Sequence, residues 1–319
     1  MSNPTSAAEI AAKVKAEVGK AIVGMNEAIE SLIIALLTGG HVIMEGVPGL
    51  AKTLLAKSFA LSLGLSFKRL QFTVDILPSD IIGGLVFNRK TGELEFRPGP
   101  IFANVVLIDE INRAPPRSQS ALLEAMQERQ VTVEGVTYKL PNPFLVIATQ
   151  NPVELEGTFP LPEAEIDRFM MRVLVSYPSR EDEEKILQMR NVMGEEVNID
   201  AVTDQQALAV AAEEVHAVKV VPEIIQFIVD IVGRTRSDEK LVIGASPRAE
   251  IALLYASKAL AALNNRSYVI PDDVKKACFR VLNHRLVPKP EYIEISKRID
   301  YGFVSKAISE YLASVEVPV

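Results

Sequence analysis

The chain has 319 residues, 48% hydrophobic and 24% charged, so we expect an ordered protein of two domains or one large domain. Its formal net charge of −7 gives no general attraction to nucleic acid or anionic lipid, and the single cysteine, Cys278, excludes an intrachain disulfide. No apolar run approaches the roughly 20 residues of a membrane span, and the N-terminus lacks the basic-then-apolar order of a signal peptide, so we expect a cytoplasmic location.

The first informative stretch, residues 41–60, follows two predicted helices over residues 5–20 and 26–37. It predicts an apolar strand, a glycine-rich loop and an amphipathic helix. The loop GVPGLAKT has the spacing of a P-loop, in which backbone N–H groups at a helix N-terminus cradle polyphosphate oxygens. We therefore predict a nucleotide site built by Gly46, Val47, Pro48, Gly49, Leu50, Ala51, Lys52, Thr53 and Leu54.

Individual residues of this loop have predictable tasks. Lys52 would reach the β- and γ-phosphates, and the Thr53 hydroxyl would hold Mg²⁺. Ala51 stands where the pattern has its second glycine, and we expect a helical φ below zero there, at which a methyl group costs little. Upstream, Val23 and Gly24 fit one wall of an adenine pocket, and a simple turn between helices fits their spacing equally well.

Two acids close the next core strand. Residues 67–72 alternate like a strand, and residues 84–97 predict an inserted hairpin that turns at a glycine. Residues 105–108 are continuously apolar, which is typical of a strand buried on both faces of a parallel sheet. Asp109 and Glu110 follow, at the end where open α/β sheets bind ligands. We predict that Asp109 holds Mg²⁺ through water and that Glu110 is the general base.

The rest of the chain divides near Pro178. Before it we predict a helix over 116–129, a hairpin over 130–140, strands over 144–149 and 170–177, and a short helix over 161–169. Asn151 follows a strand and would orient the lytic water or form an ordinary Asn-Pro turn. After Ser179 we expect helices only, over 180–193, 204–217, 222–236, 247–264, 271–285 and 300–315. Arg248 starts one of them, where it would meet an anion such as a γ-phosphate or remain solvated.

Taken together, GVPGLAKT, VVLIDEINRA, ATQNP, PEAEIDRF and SPRAEIALL resemble the MoxR family of AAA+ ATPases, over about residues 5 to 315. The resemblance implies an α/β fold with a P-loop AAA+ core. That core, residues 1–178, would hold a five-stranded parallel sheet in the order 5-1-4-3-2, flanked by helices, with hairpins inserted at about 84–97 and 130–140. Residues 179–319 would form an all-α lid.

The resemblance also implies roles for single residues. Asn151 resembles sensor 1, Arg168 an arginine finger presented to a neighbouring subunit, and Arg248 sensor 2, acting in cis or in trans. Arg113 and Arg117 are second choices for contacts across that interface. The implied ligands are ATP and Mg²⁺, and the implied assembly is a homo-oligomeric ring of six. A von Willebrand factor A-domain protein and a client protein are the implied partners.

We therefore expect an ATPase that remodels or matures a client protein in the manner of a chaperone, including insertion of a metal or cofactor. The alternatives are a nucleic-acid translocase and a slow nucleotide-gated regulator. The translocase is disfavoured because the hairpin VTVEGVTYKL sets Glu134 against a single Lys139, a poor match for phosphates. The regulator is disfavoured because a pure binding switch would not need Glu110.

Overall fold

The computed structural model describes residues 6–152, 157–193, 197–292 and 301–318. Its helices are α1 (Ala7–Val18), α2 (Asn26–Thr38), α3 (Lys52–Ser62), α4 (Pro78–Ile82), α5 (Pro116–Glu128), α6 (Glu163–Ile166), α7 (Arg180–Met193), α8 (Gln205–Ala217), α9 (Pro222–Arg236), α10 (Pro247–Leu263), α11 (Pro271–Val281) and α12 (Tyr301–Ser314). Its strands are β1 (Val42–Glu45), β2 (Phe67–Gln71), β3 (Gly83–Asn88), β4 (Glu93–Pro98), β5 (Val105–Asp109), β6 (Gln130–Val133), β7 (Val136–Lys139), β8 (Leu145–Gln150), β9 (Met171–Leu174), β10 (Leu241–Ile243) and β11 (Val287–Pro288). Thr5 and residue 300, the predicted first residues of the first and last helices, lie outside the described residues.

A five-stranded parallel sheet lies at the centre of the fold, in the order β2-β5-β8-β1-β9. Counted as core strands from the other edge, this is 5-1-4-3-2, which confirms the predicted order. The apolar run of β5 is buried along its whole length, as the sequence predicts for a strand covered on both faces. Because the five strands are parallel, the polar residues that follow β1, β5 and β8 meet at one edge.

Along β1, β5 and β8, alternate residues face two different hydrophobic clusters. Leu107 packs in the cluster that contains helices α1, α2 and α3, and Ile108 packs in the cluster that contains α5. The first cluster continues into α8 and α10, so the N-terminal helices and the C-terminal helical part share one core. Local signals set the helix starts: the Ser246 hydroxyl accepts from the Arg248 N–H at the start of α10, where Pro247 occupies the first position.

Both predicted hairpins are present, as β3–β4 and β6–β7. They contact each other through an aromatic stack, because the rings of Phe96 and Tyr138 lie 3.9 Å apart at 19°. At the far end of β3–β4, the side chains of Phe87 and Leu94 are 59% and 62% exposed. This hairpin therefore has an anchored base and exposed apolar side chains on the strands next to its polar turn, Arg89-Lys90-Thr91-Gly92.

The C-terminal part is helical with two departures from prediction. The expectation of helices only after Ser179 is wrong, because β10 and β11 form a short antiparallel pair. The helix predicted over 271–285 ends at Val281, and residues 282–285 turn back towards the core. The division near Pro178 stays a prediction.

Within the described ranges, no helix combines the length and apolarity that crossing a membrane requires.

Candidate nucleotide site

The P-loop connects the buried end of β1 to the first turn of α3. Gly49 has φ +86°, a left-handed conformation open to glycine. A Cβ on Gly46 would lie 2.4 Å from the Val175 carbonyl oxygen, so only glycine fits beside the end of β9. Ala51 precedes the helix with φ 52° and ψ 22°, so the expected negative φ at this position is wrong. Alanine occupies a left-handed position there, because it stands just outside the helix and not inside its first turn.

The Lys52 ammonium folds over the loop that it follows. It donates to the Gly46 carbonyl and, at 3.2 Å, to the Val47 carbonyl. Burial lowers the pKa of Lys52, and the carboxylates of Asp109 and Glu45 act in the opposite direction. The amine is thus a partly desolvated cation whose present partners are neutral carbonyls, which phosphate oxygens would replace favourably.

Thr53 and Asp109 meet across the sheet edge, as the sequence predicts. The Thr53 hydroxyl donates to Asp109 Oδ2 at 3.2 Å, and the Thr149 hydroxyl donates to Oδ1 at 3.0 Å. A hydroxyl and a carboxylate oxygen are hard donors of the kind that Mg²⁺ prefers. No group of three His, Cys, Asp or Glu side chains in the described ranges could hold a metal alone. These residues therefore fit a Mg²⁺ ion that takes its remaining ligands from phosphate and water.

Two side chains of β2 restrain these acids, and sequence reasoning missed both. Arg69 donates from Nε to Asp109 Oδ2 at 2.6 Å, and Gln71 donates from Nε2 to Glu110 Oε2 at 2.7 Å. Arg113, predicted as a second choice for the subunit interface, pairs with Glu110 of its own chain at 3.2 Å. The missed signal was available, because alternate residues of a strand share a face and β2 ends at the same sheet edge.

Glu110 itself has φ 58° and ψ 54°, a conformation that costs a non-glycine residue free energy. Its N–H donates to the Thr149 hydroxyl at 3.0 Å, which connects the backbone of Glu110 to the same hydroxyl that holds Asp109. The direction of the Glu110 carboxylate is therefore set by neighbours on two adjoining strands.

A cavity of about 500 Å³ adjoins the P-loop. Its wall is mainly apolar and joins three segments: the α1–α2 connection, the loop itself, and α7 with the residues before it. Val23 and Leu54 line it, together with Ile22, Met25, Pro48, Gly49, Leu50, Ala51, Tyr177, Ile186 and Leu187. Gly24 lies behind this wall with φ +80°, and a Cβ there would lie 2.9 Å from Asp182 Oδ2. The volume suits a nucleotide base and sugar.

The remaining predicted residues fall into two places. Asn151 follows β8, which lies between β5 and β1, at the edge that carries the P-loop. Arg168 and Arg248 lie beside Asp167: Arg168 follows it in the chain, and Arg248 Nη1 is 3.9 Å from its Oδ2. The Nε atom of Arg168 is buried without a hydrogen-bond partner among the described residues. Arg168 thus adjoins Asp167 in the chain and Arg248 adjoins it in space, and neither arginine lines the cavity.

Comparison with known proteins agrees with this geometry. A family model described as "ATPase family associated with various cellular activities (AAA)" matches residues 41–171, and one for an AAA lid domain matches residues 233–299. Chaperone MoxR1 of Mycobacterium tuberculosis is 43% identical over 85% of this chain and 74% of its own. An uncharacterized protein of Bacillus subtilis, YeaC, is 42% identical over 95% and 93%. The crystal structure of a candidate ATPase from Cytophaga hutchinsonii superposes with a TM-score of 0.89 at 39% identity, covering 98% of this chain and 96% of that one.

Proposed function

Because this chain belongs to the MoxR family of AAA+ ATPases, we propose that it couples Mg²⁺-dependent ATP hydrolysis to the remodelling or maturation of a client protein. Nucleotide binding, ATP hydrolysis and a chaperone-like function follow from the family. The observation that carries the finer proposal is the meeting of the P-loop, Asp109 and Glu110 at one sheet edge, in a chain whose β3–β4 hairpin exposes apolar side chains. Insertion of a metal or cofactor is one form that such maturation takes.

In the proposed mechanism, the loop N–H groups and Lys52 bind the phosphates. Thr53 and Asp109 hold Mg²⁺, which neutralises charge on the phosphoryl oxygens when it is bound. Glu110 accepts the proton of the attacking water, and Asn151 orients that water. Gln71 and Arg113 both hold Glu110 Oε2, so the proton of the attacking water would go to Oε1. The base of ATP would occupy the apolar cavity beside Val23.

We further propose that Arg168 and Arg248 act on the nucleotide of a neighbouring copy. Arg168 follows Asp167 in the chain, and the half-exposed Arg248 lies 3.9 Å from the Asp167 carboxylate, so a neighbouring copy that docks at Asp167 meets both segments. An arginine supplied in trans contributes on the order of 10³–10⁵ in rate in phosphoryl transfer. A head-to-tail interface that closes on itself forms a ring, and six members are our proposal for its size.

The client would meet the hairpins. Phe87 and Leu94 supply an exposed apolar surface, and the stack of Phe96 on Tyr138 makes the two hairpins one mechanical unit. The apolar side chains suit unfolded or apolar protein segments, and the turn beside them adds the cations Arg89 and Lys90. A von Willebrand factor A-domain protein is the proposed partner that selects the client. We also propose residues 1–178 as the nucleotide-binding part and residues 179–319 as the lid.

A trapping experiment tests the proposal. Glu110→Gln keeps the loop, Lys52 and Asp109, so it should bind ATP, hydrolyse it at least 10²-fold more slowly, and retain its client. Lys52→Ala is the matched control, because it should bind neither nucleotide nor client. Full turnover by Glu110→Gln would remove Glu110 from the role of base. If both variants captured the same protein equally, with or without ATP, client binding would not depend on the nucleotide.

A further inference from the structure

The carboxylate of Asp167 is held by groups from the C-terminal helical part. Arg285 donates from Nε to Oδ1 at 2.7 Å, and Ser246 donates from its hydroxyl to Oδ2 at 2.8 Å. Arg248 adds a third contact at 3.9 Å. Asp167 thus connects the segment that carries Arg168 to two separate points of the helical part.

Arg285 does more than neutralise Asp167. Its side chain is 2% exposed, and its remaining N–H groups donate to backbone carbonyls: Nη2 to Asp167 at 3.0 Å and to Phe169 at 2.7 Å, and Nη1 to Met170 at 3.1 Å. One planar guanidinium therefore fixes the carbonyls of residues on both sides of Arg168. A lysine ammonium cannot reproduce this fork of donors.

The neighbours of Arg285 extend the same contact. His284 lies with its Nε2 3.0 Å from the Phe169 carbonyl, and Asn283 donates from Nδ2 to the Arg172 carbonyl at 3.0 Å. Hydrogen bonds thus join the turn of residues 283–285 to the backbone of residues 167–172. Breaking a buried ion pair of this kind is costly, but a well-packed apolar replacement can be just as stable, so stability alone does not account for the arrangement. A fork of fixed donors also sets the orientation of the backbone carbonyls that accept from it.

We propose that Arg285, through Asp167, is a positioning residue for the two arginines that act in trans. It fixes the backbone around Arg168 to the same helical part that carries Arg248. The two side chains then reach the neighbouring nucleotide as one rigid unit, and a movement of the helical part in one subunit is transmitted to the site of the next. This inference rests on the proposed trans role of Arg168.

The test compares conservative variants in mixed assemblies. Arg285→Lys keeps the charge and loses the fork; Asp167→Asn keeps the size and loses the charge. Each should bind ATP with the affinity of the parent protein and show kcat lowered about 10- to 100-fold, the effect of misplacing a catalytic group by about 1 Å. Arg266→Lys is the matched control, because Arg266 makes the same kind of two-pronged ion pair with Asp273, at 2.7 and 2.6 Å, and this pair includes no residue of the Asp167 cluster. It should keep the parent kcat.

Mixing separates positioning from a general loss of structure. An excess of Lys52→Ala subunits, which cannot bind nucleotide but carry intact arginines, should restore turnover of the Arg285→Lys subunits. The inference would be overturned if this excess did not restore turnover of a slow variant. It would also be overturned if a variant kept the parent kcat. Arg168→Ala mixed in the same way is the reference. If Arg168→Ala is not restored, the trans role itself fails and the inference falls with it; if Arg168→Ala alone is restored, only the inference fails.

Discussion

Replacing Ala51 by glycine should stabilise the protein, against the usual effect of that substitution. Ala51 has φ 52°, a left-handed conformation that costs an L-residue about 1–2 kcal/mol relative to the right-handed one. Glycine removes this cost but loses about 0.5–1 kcal/mol through its greater freedom in the unfolded chain. Ala51 is exposed, so no buried methyl group is lost. The net gain for Ala51→Gly is about 0.5–1 kcal/mol.

The matched control is Ala12→Gly, an exposed alanine inside α1, which should lose about 1 kcal/mol. The two variants make the same chemical change and should shift the free energy of unfolding in opposite directions. The chain has no tryptophan, so urea unfolding without nucleotide would be followed by far-UV circular dichroism. If Ala51→Gly lowers the urea midpoint as Ala12→Gly does, the left-handed conformation at residue 51 is wrong.

Three further outcomes are expected. Gln71→Leu should raise basal ATP turnover up to about fivefold, because it removes one of the two donors that hold Glu110 Oε2, a hydrogen bond worth about 1 kcal/mol net, while Arg113 remains; steady-state phosphate release measures this. Burial lowers the pKa of His41 to about 4, so folding stability should fall as pH drops from about 6.5 towards 4, by up to about 1.4 kcal/mol per unit, and His41→Gln should reduce that slope in urea titrations. Phe96→Ala should speed amide exchange in β6 and β7, because it removes the stack on Tyr138.

Each outcome has its own control. Gln127→Leu changes an exposed glutamine of α5 and should leave basal turnover unchanged. If the basal rate does not rise in Gln71→Leu, the hydrogen bond from Gln71 to Glu110 does not restrain turnover. His216→Gln changes an exposed histidine and should keep the acid slope, so equal slopes in all proteins would exclude His41 as the titrating group. Phe87→Ala changes the exposed tip of β3 and should not affect β6 and β7. Equal exchange in both phenylalanine variants would mean that the hairpins move independently.

The sequence predicts features that depend on contiguous residues. The apolar run of β5 and the acids after it suffice to place Asp109 and Glu110 at a sheet edge, and the order of the core strands follows from the family resemblance. The conformation of Ala51 could not be read this way, because one residue of shift between loop and helix changes the sign of φ.

Arg285 was missed for a different reason. The helical pattern of α11 continues through residues 282–285, and no glycine or proline marks the end of the helix. The helix ends at Val281, and the Arg285 guanidinium finds partners both there and around Asp167, 118 residues away along the chain. Contacts at such separation leave no periodic signal, so residues that join the two parts of the molecule are the ones that a single sequence hides.

The common hydrophobic cluster of α1, α2, α8 and α10 limits how such a protein can diversify. A chimera that grafts the C-terminal helices of one relative onto another would set α2 against unfamiliar side chains of α8 and α10, and mismatched volumes there cost about 1–3 kcal/mol each. Substitutions in α1 and α2 must therefore be compensated in volume by substitutions in α8 and α10. The exposed Phe87 and Leu94 of the β3–β4 hairpin lie outside this cluster, so substitutions there carry no such packing cost.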